Sequence, residues 1–235
     1  MILAGVDDAG RGSVLGPLVI AGVSIKESKV PKLVELGVKD SKLLSPSRRR
    51  KLFREIKGLA ERVTWSRINP TDIDQCVLNG VRLFRLNHLE ARHMAIVLSR
   101  MSYDLAYVDC CDTDQKRFGR LIEELLVKSA GVFGVRPRSP RGNILSEHHA
   151  DRNYPVVSAA SIIAKVTRDS YISKLQKKHG LFGSGYPSDP DTLEFLRGFI
   201  SRAQKLPDFA RTSWKTIDRL NDELEKLTID EYFSS

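Results

Sequence analysis

The amino-acid sequence predicts an α/β layered domain with a mainly helical C-terminal third. Two β-branched apolar runs open the chain, Ile2 to Val6 and Leu18 to Ile25, with a glycine-rich turn between them. Short apolar strands then alternate with helical periodicity as far as His149, and only helical patterns follow Pro155. The 235 residues are 41% apolar and 29% charged, an ordinary globular composition that excludes collagen-like, mucin-like and wholly disordered chains.

The two N-terminal runs, joined through Gly10-Arg11-Gly12-Ser13 and Gly16-Pro17, read as an antiparallel hairpin. Ser45-Pro46 then reads as an N-cap with proline at the first helical position. The helix it starts runs to about Glu61 and carries Leu52, Phe53, Ile56 and Leu59 on one face. Val63 to Ile68 is a third strand, Pro70 to Cys76 starts another helix, and Val81 to Met101 has long helical periodicity. Leu105 to Asp109 is a short buried strand, with Asp112 or Thr113 capping the helix that continues through Leu126. Asn143 to His149 is a weaker strand. Pro155 opens a long helix rich in small residues that ends near Gly180, and two more helices are expected at about Asp191 to Gln204 and Trp214 to Leu227.

The longest apolar run, near Gly16 to Val23, is far short of the roughly 18 to 20 residues that span a bilayer, so no membrane segment is expected. The N-terminus has no basic region and reaches Asp7 at once, unlike a signal peptide. Three cysteines, two of them adjacent, argue against a disulfide framework and for a reducing, cytoplasmic location. The formal charge is +9. Ser213 to Ser235 carries net −3, leaving +12 on residues 1–212, and Lys42 to Arg67 holds nine basic residues against two acids. An anionic partner, nucleic acid first, fits this excess; a solvated basic surface accounts for it equally well.

Acids stand where apolar strands stop. Asp7 and Asp8 precede Gly10-Arg11-Gly12, where glycine lets the backbone approach a ligand and Arg11 can offer donors to a phosphate. The same segment also reads as an Asx turn closing the hairpin, and strand alternation should point the two acids to opposite faces. Gly10, Gly12 and Gly16 do not form a dinucleotide fingerprint, because position 15 is Leu15 and a strand follows. Asp109 ends the next strand and is the better ligand candidate there, Asp112 reading as a cap. Asp151 precedes a helix start, where it can equally serve as a capping acid. His148 and His149 lack a zinc spacing, His88 and His93 read as structural, and no serine-nucleophile elbow is present.

Together Asp7, Asp8, Asp109 and Asp151 would make an all-oxygen cluster suited to magnesium or manganese. Two such ions activate water and stabilise the leaving oxygen in phosphodiester hydrolysis. Spacing leaves open whether the four acids converge.

The ordered series Asp7-Asp8-Ala-Gly-Arg-Gly12, Gly16-Pro-Leu-Val19, Asp40-Ser-Lys42, Tyr107-Val-Asp109, Ala150-Asp151 and Ser158-Ala-Ala-Ser-Ile-Ile-Ala-Lys-Val-Thr-Arg-Asp169 resembles ribonuclease HII, archaeal members above all. The match runs from residue 1 to about 215. The resemblance implies an RNase H-like mixed sheet flanked by helices, with residues 1–212 as the catalytic domain and 213–235 as a C-terminal helix and tail. It implies a monomeric endonuclease using two Mg²⁺ or Mn²⁺ ions. Such an enzyme cuts the RNA strand of RNA/DNA hybrids and single ribonucleotides embedded in duplex DNA, leaving 3′-hydroxyl and 5′-phosphate ends. Carried over by position, Asp7, Asp8, Asp109 and Asp151 are the metal-binding catalytic carboxylates. Gly10, Arg11 and Gly12 sense the 2′-hydroxyl that separates RNA from DNA, Tyr186 packs on the deoxy-side sugar, and Lys42 and Lys165 lie near the nucleic-acid backbone. On the residues alone, Tyr186 reads as a turn tyrosine and Lys165 as a snorkelling surface lysine.

The chain departs from the family pattern at Asp8, where the family has glutamate, and at Ser13, where it has proline. One methylene fewer retracts the carboxylate by roughly 1.5 Å, against metal–oxygen distances that tolerate a few tenths of an ångström. Either the backbone shifts, a water fills the gap, or the second ion binds more weakly, and reduced activity, a manganese preference or altered substrate choice is the expected consequence. The rival readings are a basic hybrid-binding protein whose cleavage is impaired by Asp8, and a DNA-directed nuclease on the same fold.

Overall fold

In the computed structural model, which describes residues 1–38, 44–79, 85–132, 142–202 and 204–234, the N-terminal hairpin pairs β1 (Ile2–Ala9) with β2 (Leu18–Lys26), Val6 standing opposite Gly22. A single 3₁₀ turn and the short helix α1 (Val30–Glu35) follow. Then come α2 (Pro46–Leu59), β3 (Arg62–Ile68), α3 (Pro70–Asn79), α4 (Arg85–Ser99), β4 (Leu105–Asp109), α5 (Gln115–Val132) and β5 (Asn143–Glu147). The chain ends with α6 (Ala150–Asn153), α7 (Pro155–His179), α8 (Pro190–Ile200) and α9 (Lys215–Ser234). The five strands lie in the order β3-β2-β1-β4-β5. β3, β2 and β1 are antiparallel neighbours, whereas β4 and β5 add parallel to β1. This is the mixed sheet flanked by helices that the resemblance implies.

Strand alternation divides the core. Ala4, Val6, Leu18 and Ile20 face α4 and α5, packing with Met94, Leu98, Phe118 and Ile122. Ala21 and Val23 face α7, packing with Val156, Val157, Ala160 and Ile163. The small residues of α7 let it press onto the sheet. A Cβ on Gly5 would lie 2.4 Å from the backbone of Val156, so only glycine admits the helix at that point. A third apolar cluster joins Val14 and Leu15 to Phe182, Leu196, Phe209, Ile217 and Leu220, seating α8 and α9 on the loop that follows β1.

Most elements fall where the pattern put them. Ser45 caps α2 through the Arg48 amide, with Pro46 first in the helix. β1 runs beyond Val6 to Ala9 because Val19 and Ile20 of β2 continue the pairing, which takes Asp7 and Asp8 into the strand. α8 stops at Ile200, short of Gln204, and α9 extends past Leu227 to Ser234. α1 and α6 were not expected; each is too short to show a period. The cap of α5 is corrected: Asp114 accepts from the Arg117 amide at 3.0 Å, while Asp112 is buried and takes hydrogen bonds from Asn87 and the Asp114 amide. With acids at both positions, helical spacing selects the one three residues before the amide it serves. Among the described residues no helix is long and apolar enough to cross a membrane.

Candidate active site

The parallel register of β1 and β4 sets Val6 beside Val108, so the next residues along each strand, Asp7 and Asp109, come side by side where that pairing ends. Asp109 stands in register with Glu147 of β5. Beyond that strand the chain turns through His149, held at φ 57°, into α6. Asp109 Oδ1 accepts from the Ala150 amide at 2.7 Å, so one acid fixes the turn that delivers the next, Asp151. Ser158 of α7 in turn donates to the Asp151 carbonyl.

Asp7 and Asp8 do face opposite sides. Asp7 is directed to α7, where it meets Ser161, and accepts from the Asp8 amide at 2.7 Å. Asp8 lies on the α4 side near Glu90. Both still line one cavity of about 260 Å³, because it opens where the strand ends. The cavity also collects Gly10, Arg11, Gly12, Asp109, Asp151, Lys165 and Tyr186. Every residue nominated from the sequence is therefore present except Lys42, which lies outside the described residues with the rest of residues 39–43.

The electrostatics are those of crowded acids. Burial, then the charge of Asp109, raises the Asp7 carboxyl to about 7. Burial, then Glu90 and Asp7, pushes Asp8 well above the usual carboxylate range. Asp109 is raised by burial and by Asp151, against the hydrogen bonds it accepts from the α6 amides. Hard carboxylate oxygens that repel one another in a desolvated cleft form the donor set a divalent cation relieves, so the residues fit such an ion by chemistry. Among the described residues, no three His, Cys, Asp or Glu side chains already stand as a finished metal cage.

Arg11 is turned inward. Its Nε donates to both carboxylate oxygens of the fully buried Glu90 at 2.9 and 3.1 Å, and its Nη2 donates to Asn87 Oδ1 at 2.7 Å. Arg11 thus lines the cavity between Gly10 and Gly12 with its guanidinium held on Glu90 and Asn87. Asn87 passes the connection to Asp112, which also pairs with Arg117. Cys111, its thiol pushed far up by burial and by Glu90, completes the surroundings of that carboxylate.

Sequence reasoning missed Ser161, Glu90, Asn87, Arg168 and Arg211. Glu90 had a signal, an acid at a core-facing position between Leu86, Leu89, Ala91 and Met94 of α4. Arg211 had none, being one basic residue in an irregular segment.

The Ribonuclease HII family model matches residues 4–217. A curated ribonuclease HII of Pyrococcus furiosus is 38% identical over 239 residues, 99% of each chain. The crystal structure of ribonuclease H2 from Pyrococcus horikoshii is similar with a TM-score of 0.82 at 40% identity, covering 96% of this chain and 100% of that one. The PCNA:RNase HII complex from Archaeoglobus fulgidus gives a TM-score of 0.79 at 38% identity, covering 93% of this chain and 96% of that one.

Proposed function

Because the chain belongs to the ribonuclease HII family, we propose that it is an endonuclease that hydrolyses the RNA strand of RNA/DNA hybrids and cuts duplex DNA at single embedded ribonucleotides, leaving 3′-hydroxyl and 5′-phosphate ends. The observation that carries this reading is the meeting of Asp7, Asp8, Asp109 and Asp151 with the Gly10–Gly12 turn, Lys165 and Tyr186 around one cavity.

Asp7, Asp8, Asp109 and Asp151 would hold two Mg²⁺ or Mn²⁺ ions. When bound, the ions supply water activation and charge stabilisation at the leaving oxygen. The protein does the rest by placement. Asp109, anchored on the α6 amide, keeps Asp151 facing Asp7 across the cleft. Lys165 adds the positive charge that a phosphodiester requires beside four acids. The Gly10–Gly12 backbone meets the ribose, where the 2′-hydroxyl is the atom that distinguishes substrate from DNA. Tyr186 covers the neighbouring deoxyribose. The basic excess on residues 1–212 draws the duplex in. The cleft retains all four carboxylates, so nothing favours a binding-only protein.

The test is incubation with three duplexes: all-DNA, DNA with one ribonucleotide, and a continuous RNA/DNA hybrid, with Mg²⁺, with Mn²⁺ and with chelator. Metal-dependent cutting of the second and third but not the first is expected. Equal cutting of the all-DNA duplex points to a DNA-directed nuclease, and retention of hybrid without cutting in either metal overturns the enzymatic reading.

A further inference from the structure

Two arginines lie buried outside the carboxylate cluster, and their hydrogen bonds go to backbone. Arg211, fully buried, donates from Nη1 to the Arg11 carbonyl at 2.7 Å and from Nη2 to the Gly10 carbonyl at 2.7 Å. It also donates from Nε and Nη2 to the Gly16 carbonyl at 3.3 and 3.1 Å. One planar fork thus ties both ends of the Gly10–Gly16 loop, a task that five fixed donors perform and an ammonium does not. Arg168, on α7 and 4% exposed, lies over the Tyr186 ring at 4.6 Å and donates to the Ser184 carbonyl at 3.0 Å.

The two arginines belong to one frame. Gly10 has φ 94°, and a Cβ there would lie 2.5 Å from Arg168 Nε, so the guanidinium rests on the bare α-carbon of the turn. The Val14 and Leu15 amides both donate to the Gly185 carbonyl, at 2.8 and 3.0 Å, linking the loop directly to the residue before Tyr186. From the far side, the Arg211 amide donates to the Val14 carbonyl, and Asp74 grips Thr212 and Ser213 through four hydrogen bonds. Burial, then the neighbouring charge of Arg168, pulls the Arg211 guanidinium down to about 10. Two like charges buried this way are unfavourable, and a fold that needed only volume there would be more stable with apolar side chains. Their donors, not their bulk, account for their presence.

We propose that Arg211 and Arg168 are positioning residues that hold the Gly10–Gly12 turn and the Tyr186 ring at a fixed spacing, and that this spacing sets the preference for a ribose-to-deoxyribose step. The inference rests on the reading of that turn and ring as the sugar-contacting surfaces. Neither arginine lines the cavity; each acts through the segment it supports. A single ribonucleotide in DNA presents the step at every binding event, whereas the interior of a continuous hybrid lacks it. Loosening the frame therefore lowers cleavage of the first substrate more than the second.

The experiment compares wild type, Arg211→Lys and Arg168→Lys on DNA with one ribonucleotide and on a continuous RNA/DNA hybrid, in saturating Mn²⁺. The preference between the two, as a ratio of kcat/KM, is expected to fall about tenfold, the equivalent of one charge-assisted hydrogen bond. The loss should sit in kcat, because misplacement rather than affinity is the defect, and Mn²⁺ binding followed by paramagnetic resonance should match wild type. A purely structural role predicts equal losses on both substrates, tracking a lowered melting temperature, and that result overturns the proposal. If Arg211→Lys does not fold, Arg168→Lys decides alone, an unchanged ratio overturning it. Failure of wild type to cleave either substrate would instead remove the functional reading on which the proposal stands.

Discussion

Asp7 and Asp109 lie at the same level on adjacent parallel strands, one step beyond the paired Val6 and Val108, and the charge of Asp109 raises the Asp7 carboxyl. The sheet thus brings together two groups that repel, and stability and function oppose one another at this point. Without a cation the two carboxylates have nothing to gain from proximity; a divalent ion held by them would turn the same proximity into a binding site.

Asp109→Asn removes the charge but keeps an oxygen to accept from the Ala150 amide, so the α6 turn should survive. Cleavage of a hybrid is expected to fall by more than about a hundredfold, beyond the loss that follows removal of a partner outside the coordination sphere. Hybrid binding, measured by mobility shift in Ca²⁺ or chelator, should stay close to wild type. Wild-type turnover would remove Asp109 from the site.

The Asp7 carboxyl gives the ion-free protein a characteristic pH response. Its value is raised from 3.8 to about 7 in the folded state, so the folded protein holds this proton more tightly than the unfolded chain. The resulting stabilisation is complete below about 4 and is lost as the pH rises through 7. The melting temperature in chelator should therefore decline across that window, and less so in Asp7→Asn. Added Mn²⁺ should raise the wild-type melting temperature more at pH 8 than at pH 5, because only the ionised site binds it. Equal metal shifts at the two pH values would contradict this account.

The carboxylates and the turn were legible in the sequence because acids at the ends of apolar strands break a pattern that is otherwise consistent. Asp7, Asp8 and Asp109 announce themselves in this way, and Tyr186 and Lys165 through the ordered resemblance. Periodicity had no means of showing that β4 pairs in parallel with β1, the fact that makes Asp7 and Asp109 neighbours. Nor did it reveal the polar supports. Glu90 meets Arg11 across 79 residues, and Arg211 reaches the Gly10 carbonyl across 201. Contacts of that range leave no local spacing to read. The cap of α5 failed for the opposite reason, since Asp112, Thr113 and Asp114 offered too many suitable residues at once.

Asp8→Glu restores the methylene that the family pattern contains. The longer side chain reaches farther into the cavity that Asp8 already lines. Cleavage at subsaturating Mg²⁺ should rise about tenfold, or by about 1.4 kcal/mol in transition-state stabilisation. The gain should shrink at saturating Mn²⁺ if weak binding of one ion is what the shorter acid causes. A metal titration of initial rates for the two proteins checks both statements, and unchanged or lower activity in Asp8→Glu would show that this cleft is adapted to aspartate.

Glu90→Gln probes the anchor of the turn. The carboxylate is fully buried, whereas the Arg11 side chain retains 41% exposure, so the arginine can hydrate once its partner is neutral. The loss in stability is then about 1–3 kcal/mol, below that for breaking an ion pair buried on both sides. Neutralising Glu90 also removes a charge that opposes ionisation of Asp8, which draws Asp8 back toward the ordinary carboxylate range. The two effects have opposite signs for function: a looser Arg11 weakens the turn, and an easier ionisation of Asp8 favours metal binding. Urea denaturation in chelator isolates the first and Mn²⁺ affinity at pH 6 isolates the second. A midpoint lowered together with a tightened Mn²⁺ affinity is expected, and an unchanged midpoint would mean that Asn87 alone holds Arg11 in place.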